Sequence, residues 1–202
     1  MATNWFISDP HFGHKNIIKY EGDKRPFTDT EHMDNVIIEN FNNTVNEGDT
    51  VFWLGDMFFC NSKRIEYIVS RLKKTRNILI RGNHDKGISD TKFRRLGFDP
   101  HRMYLYEDYI LTHEPISQVN MNRLIEEFQL CCNVHGHTHS KETGLENLSH
   151  VCISVENTDF KPVTIDWISS KRTRCSDFIK KFKGTIPTKL NKITVSKEGE
   201  VK

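Results

Sequence analysis

Five short segments of this chain carry side chains that bind metal ions or move protons. They are Asp9-Pro10-His11, Gly55-Asp56, Gly82-Asn83-His84-Asp85, Thr112-His113 and His135-Gly136-His137-Thr138-His139. Carboxylate oxygen, amide oxygen and neutral imidazole together suit divalent transition metals. Asp9 and His11 lie two residues apart, as do His137 and His139, so each pair can share one face of an extended segment and reach one ion. Asp56 follows Gly55, which permits a sharp turn, and a carboxylate held there can bridge two ions. His84 is a candidate general acid or base, and Asp85 beside it is a candidate for fixing its tautomer. Each segment alone also reads as a turn, a helix cap or a structural imidazole. Their ligand types complement each other, and the chemistry they suggest is metal-assisted hydrolysis.

A fold must bring these segments together. Each follows a short apolar run that reads as a strand: residues 4–8, 50–54, 77–80, 109–112 and 131–134. Further strands are predicted over 103–106, 151–155 and, last in the chain, 163–167. Helical spacing joins Met33, Val36, Ile37 and Phe41 within 30–43, with Thr28 or Asp29 as the cap. A second helix runs through Ile65, Ile68, Val69 and Leu72 from a cap at Asn61 or Ser62, and shorter helices are expected over 16–20, 91–96 and 121–128. Strands alternating with helices, then strands dominating, predict a layered α/β domain with a mixed sheet or two packed sheets.

The chain has 202 residues, enough for one domain with a sizeable core. It is 36% hydrophobic and 28% charged, as soluble globular proteins are, and its net charge of +2 argues for no particular polyanionic partner. Cys60, Cys131, Cys132, Cys152 and Cys175 show no Cys-x-x-Cys spacing, which suits a reducing compartment without a disulfide framework. No charged segment followed by an apolar stretch opens the chain, and no apolar run approaches the roughly 18 residues that cross a bilayer. A cytoplasmic protein with no membrane contact is expected. The metal-binding segments fall in a domain of residues 1–170. Residues 171–202 form a basic extension, and between Lys171 and Lys197 nine Lys/Arg stand against Asp177 alone. That tail reads as a solvated extension or, alternatively, as a contact for a polyanion.

The order of the motifs resembles the calcineurin-like metallophosphoesterase superfamily, over residues 3 to about 168. Asp9-Pro10-His11-Phe12-Gly13-His14 followed by Asn16-Ile17-Ile18 resembles its small stand-alone bacterial and bacteriophage members. The resemblance implies a single α/β domain built as a four-layered α/β/β/α sandwich. It implies that Asp9, His11 and His139 hold one ion, that Asn83, His113 and His137 hold a second, and that Asp56 bridges them. His84 would be the acid near the leaving group, oriented by Asp85. Two divalent ions (manganese, iron, zinc or nickel), roughly 3.5–4 Å apart, would generate a bridging hydroxide that attacks phosphorus in line.

The implied activity is phosphoester hydrolysis, as a phosphodiesterase or phosphatase. A metal-dependent nuclease or nucleotide phosphohydrolase is the alternative, and a non-catalytic scaffold of the same fold is a third reading. A phosphoester substrate is the implied partner, nucleotide or nucleic acid among the candidates, with no obligate protein partner. Two departures stand out: Phe59, where family members often carry a polar residue, and Thr112-His113, where Gly-His is common. His14 and Arg81 are the foremost candidates for contacting a substrate phosphate, ahead of Lys15, Arg25 and Lys86. His135 reads as a buried imidazole rather than a ligand.

Overall fold

The computed structural model describes residues 2–144 and 149–172. From residue 173 onward the basic extension lies outside the described residues, and Cys175 with it.

Two four-stranded sheets form the centre. The first is parallel throughout, in the order β1 (Asn4–Ile7), β2 (Thr50–Trp53), β3 (Arg76–Ile80) and β4 (Phe98–His101). The second holds β5 (Tyr104–Tyr106), β6 (Tyr109–Leu111), β7 (Cys132–His135) and β8 (His150–Cys152), with only the β5–β6 pair antiparallel. The helices are α1 (Lys15–Glu21), α2 (Thr30–Thr44), α3 (Ser62–Arg71), α4 (Asp90–Arg95), α5 (Gln118–Phe128) and α6 (Ile165–Lys171).

The period-two alternation of each strand sorts its side chains into layers. Ile7, Val51, Trp53 and Leu79 leave one face of the first sheet and meet Met33, Ile37 and Phe41 of α2, Ile65 and Ile68 of α3, and Phe93 of α4. Phe6, Phe52, Leu54, Ile78 and Ile80 leave the other face and meet Tyr109, Leu111, Cys132, Val134 and Val151 of the second sheet. The far face of that sheet sets Ile110 against Met121 and Leu124 of α5. The result is a single α/β domain of helices, sheet, sheet and helix. Strands covered on both faces are apolar at almost every position, which is why they read as continuous runs. Each fully buried aliphatic or aromatic side chain stabilises this stack by about 1.5–3 kcal/mol. Side-chain caps set the helix starts: Asp29 accepts the His32 N–H at 2.8 Å and Asn61 accepts the Arg64 N–H at 3.1 Å.

Two elements differ from the sequence expectation. Strand β4 is an additional one. Its Pro100 argues against a strand, but β4 lies at the sheet edge, where a missing N–H is tolerated. Residues 163–167 do not form the last strand. Val163 alone makes an antiparallel bridge, to Phe6, and Thr164 then caps α6 by accepting the Trp167 N–H at 3.3 Å. The Thr164 cap, Asp166 in the first turn and an apolar Ile165–Ile168 spacing outweigh the β-branched content.

Candidate metal centre

The parallel register sets Ile7 beside Trp53, and Trp53 beside Leu79, so the segments leaving β1, β2 and β3 emerge along one edge. Backbone bonds lay the first segment on the second: Asp9 N–H to Gly55 O at 3.1 Å, His11 N–H to Asp56 O at 3.1 Å, and Phe12 N–H to Met57 O at 2.9 Å. The second sheet delivers His113 and His137 from the ends of β6 and β7, tied by Gly136 N–H to His113 O at 3.0 Å. Five of the gathered residues hold left-handed backbone: Asp9, His11, Asp56, His137 and His139, with φ of 55°, 52°, 52°, 67° and 53°. That conformation costs non-glycine residues about 1–3 kcal/mol each and persists where the surroundings over-determine it. Approach is close enough to exclude side chains at Gly82 and Gly136. A Cβ at Gly82 would lie 2.1 Å from Asp56 Oδ1, and one at Gly136 would lie 2.1 Å from Asp9 Oδ2.

The two carboxylates are each divided between the protein and the site. Asp9 Oδ2 accepts the Ser8 hydroxyl at 2.6 Å, the Ser154 hydroxyl at 2.8 Å and the His137 N–H at 3.0 Å. Asp9 Oδ1 is buried with no hydrogen-bond partner, 3.7 Å from His11 Nε2 and 4.0 Å from His139 Nε2. His11 Nε2 is buried and unpartnered as well. Asp56 Oδ1 accepts the His84 N–H at 2.9 Å, while Oδ2 faces His11 Nε2 at 3.6 Å and His113 Nε2 at 3.4 Å. On the other flank Asn83 Oδ1 lies 3.0 Å from both His113 Nε2 and His137 Nδ1. Ligand atoms of Asp9, His11 and His139 all lie within 4.8 Å of one another, and so do those of Asp56, His113 and His137.

These residues fit metal ions. A buried polar atom left unsatisfied costs about 1–3 kcal/mol, and here two such atoms face each other across a gap suited to a cation. The imidazole tautomers agree. His113 donates from Nδ1 to Leu54 O at 2.7 Å, and His139 donates from Nδ1 to Glu156 at 3.0 Å, which leaves Nε2 of each with its lone pair. Burial opposes charge on Asp9, yet the nearby imidazoles of His11, His113 and His139 hold its carboxyl far below the usual range. Burial likewise disfavours charge on His113, but the Asp56 hydrogen bond and the Asp9 and Asp56 charges lift it to about 9.

Several functional groups have no local signature in the sequence. Glu156 is buried, 17 residues beyond His139, and its charge is held by Arg25. Arg25 is itself buried and donates to Asp9 O at 2.6 Å and Pro10 O at 3.2 Å. It braces the first ligand segment and is not an open phosphate contact. Ser8 and Ser154 lock Asp9. Only an acid and a cation with complementary burial hint at such a pair, and burial of a charged residue is not readable from its neighbours.

Three expectations need correction or refinement. Arg81 does not face the site: its guanidinium donates to Asp90 at 2.6 Å, Asp85 O at 2.6 Å and Ile88 O at 2.7 Å, and lies over the Phe93 ring. Asp85 does not orient the His84 ring. Its carboxylate is turned inward and accepts the N–H groups of Asp56, Met57 and Gly82 at 3.0, 3.0 and 2.8 Å. The tight helical turn over Asn83–Gly87 sends adjacent side chains in different directions, so Asp85 clamps the bridging segment while His84 points outward. His14 sits at the mouth, but its Nδ1 is 3.0 Å from His11 Nδ1. Burial holds the His14 imidazole down at about 4. His135 is buried and donates to Gly136 O at 2.8 Å, away from the ligand atoms. Among the described residues, Cys60, Cys131, Cys132 and Cys152 form no disulfide. Among the described residues no helix is long and apolar enough to cross a membrane.

Two sheets with covering helices and a carboxylate–imidazole centre at their strand ends define a hydrolase acting on phosphoester bonds. The chain belongs to the calcineurin-like phosphoesterase family, whose model matches residues 3–176. An uncharacterized protein of Methanocaldococcus jannaschii is 33% identical over 182 residues, spanning 83% of this chain and 90% of its own length. The Gene 66 protein of Mycobacterium phage L5 is 33% identical over 89 residues, 42% of this chain and 41% of that one. Among solved structures, a protein of unknown function from Aquifex aeolicus superposes with a TM-score of 0.64 at 25% identity, covering 84% of this chain and 99% of its own.

Proposed function

We propose that this protein is a two-metal phosphoester hydrolase with a preference for diesters. One observation carries the reading: Asp56 Oδ2 stands between His11 Nε2 and His113 Nε2, at 3.6 and 3.4 Å, joining two otherwise separate ligand sets. Asp9, His11, His139 and Asp56 would hold one ion, and Asn83, His113, His137 and Asp56 the other. Bound there, two divalent ions such as manganese, iron, zinc or nickel supply Lewis acidity toward a phosphoryl oxygen and lower the pKa of water.

The chain's own residues do the rest. His84 is half exposed, and its Nε2 lies 4.0 Å from Asp56 Oδ2, where it can hand a proton to the departing oxygen. The Asp85 clamp on the Asp56 and Gly82 amides fixes the bridging carboxylate relative to His84. The preference for diesters rests on charge. Arg25 and Arg81, the arginines adjoining the motifs, are both committed to internal partners. A monoester dianion would miss the guanidinium clamp that such a substrate calls for, whereas a singly charged diester needs less.

The test uses chelator-stripped protein with manganese added back, comparing bis(p-nitrophenyl) phosphate with p-nitrophenyl phosphate. The expected outcome is metal-dependent turnover of the diester, with His84→Ala lowering kcat by about 10²–10⁴-fold while the bound metal is retained. Turnover indifferent to chelation would overturn the reading, and faster monoester turnover would overturn the diester preference.

A further inference from the structure

His11 is the ligand candidate whose outer nitrogen meets an unusual partner. In the other two imidazoles held through Nδ1, the partner is a carbonyl (Leu54 O for His113) or a carboxylate (Glu156 for His139). His11 Nδ1 instead meets another imidazole, His14 Nδ1, at 3.0 Å. His11 Nε2 is turned to Asp9 and Asp56, so an ion there needs the lone pair on Nε2 and the proton on Nδ1. That proton has one place to go. His14 must accept it on Nδ1 and carry its own proton on Nε2.

Two further features fit this arrangement. His14 occupies the N-cap of α1, yet its side chain makes no cap hydrogen bond, so the ring is free for His11. Phe59 lies flat over the pair, with ring centroids 4.0 Å from His14 at 5° and 4.7 Å from His11 at 15°. A phenyl ring there shields the N–H···N bond from competing water, and hydrogen bonds strengthen in such low-dielectric surroundings. A polar side chain at this position would compete for the same proton.

We infer that His14, sheathed by Phe59, is a positioning residue that fixes the tautomer and ring plane of His11 for the ion held with Asp9 and His139. This rests on the metal-binding reading above. Outer partners of this kind change metal affinity by about 10–100-fold.

The experiment is manganese titration of the full chain, followed by electron paramagnetic resonance, on wild type, His14→Leu and His14→Asn. Asn Oδ1 takes the place of imidazole Nδ1 and can accept the same proton. Expected are two ions in wild type, one of them bound about 10–100-fold more weakly in His14→Leu with the other unchanged, and near-complete recovery in His14→Asn. The metal-free melting temperature should stay the same in all three. Equal affinities in wild type and His14→Leu would overturn the inference. So would a uniform weakening of both ions with a lower metal-free melting temperature, since that is a general structural effect. A wild-type chain that takes up no manganese would instead remove the two-metal reading, and this inference with it.

Discussion

The two halves of the centre are built differently. Around Asp9, His11 and His139 every candidate ligand is held from behind by another side chain: Ser8 and Ser154 on Asp9, His14 on His11, and Glu156 with Arg25 on His139. Around Asn83, His113 and His137 only His113 is held from behind, by Leu54 O, and His137 is exposed. One half is a finished socket and the other is open on a side. A closed, pre-oriented ligand set loses little freedom on binding, whereas an open one leaves room for an exchangeable ligand. The first half is suited to retaining an ion and the second to meeting substrate.

Three substitutions or conditions bear on that contrast. The largest effect belongs to the residue the halves share. Asp56→Asn should lower metal stoichiometry from two to below one and cost about a thousandfold or more in kcat/KM, read by elemental analysis beside the diester assay. Retention of one tightly held ion would show that the closed half does not need the bridge.

Next comes the floor beneath both halves. Burial holds His135 at about 4 against an ordinary 6.5, so between those values the unfolded chain takes up a proton that the folded chain refuses. Stability from this group is complete above pH 6.5 and is lost as the pH falls toward 4, by about 3 kcal/mol. Urea melts of metal-free protein at pH 7 and pH 4.5 should show the decline, and His135→Asn should make it shallower. A parallel decline in that variant would assign the acid sensitivity elsewhere.

The smallest and most selective effect is expected from Glu156→Gln. It should weaken the ion of the closed half about 10–100-fold and leave the open half untouched. The melting temperature should fall as well, because Arg25 loses its buried counter-charge. Equal weakening of both ions would erase the distinction between the halves.

The layers and most strand positions were legible because strands buried on both faces cannot hide their composition. Seven ligand candidates were legible because each stands within a few residues of a strand end, in segments short enough to read locally. Strand β4 was not, because Pro100 breaks the local rule and edge position restores it. Glu156, Arg25 and Ser154 were not, because each meets its partner across more than 15 residues of chain. Arg81 and Asp85 were legible as neighbours of the site but not in direction. Their orientation follows from one tight helical turn that sends consecutive side chains apart.

The left-handed backbone at Asp9, His11, Asp56, His137 and His139 has a consequence for how this chain can change over time. At all five positions glycine would relieve the conformation and remove the ligand at the same stroke. Drift toward a more comfortable backbone is therefore drift away from chemistry. A relative that had abandoned its reaction would be expected to betray it first by glycines where these five side chains stand.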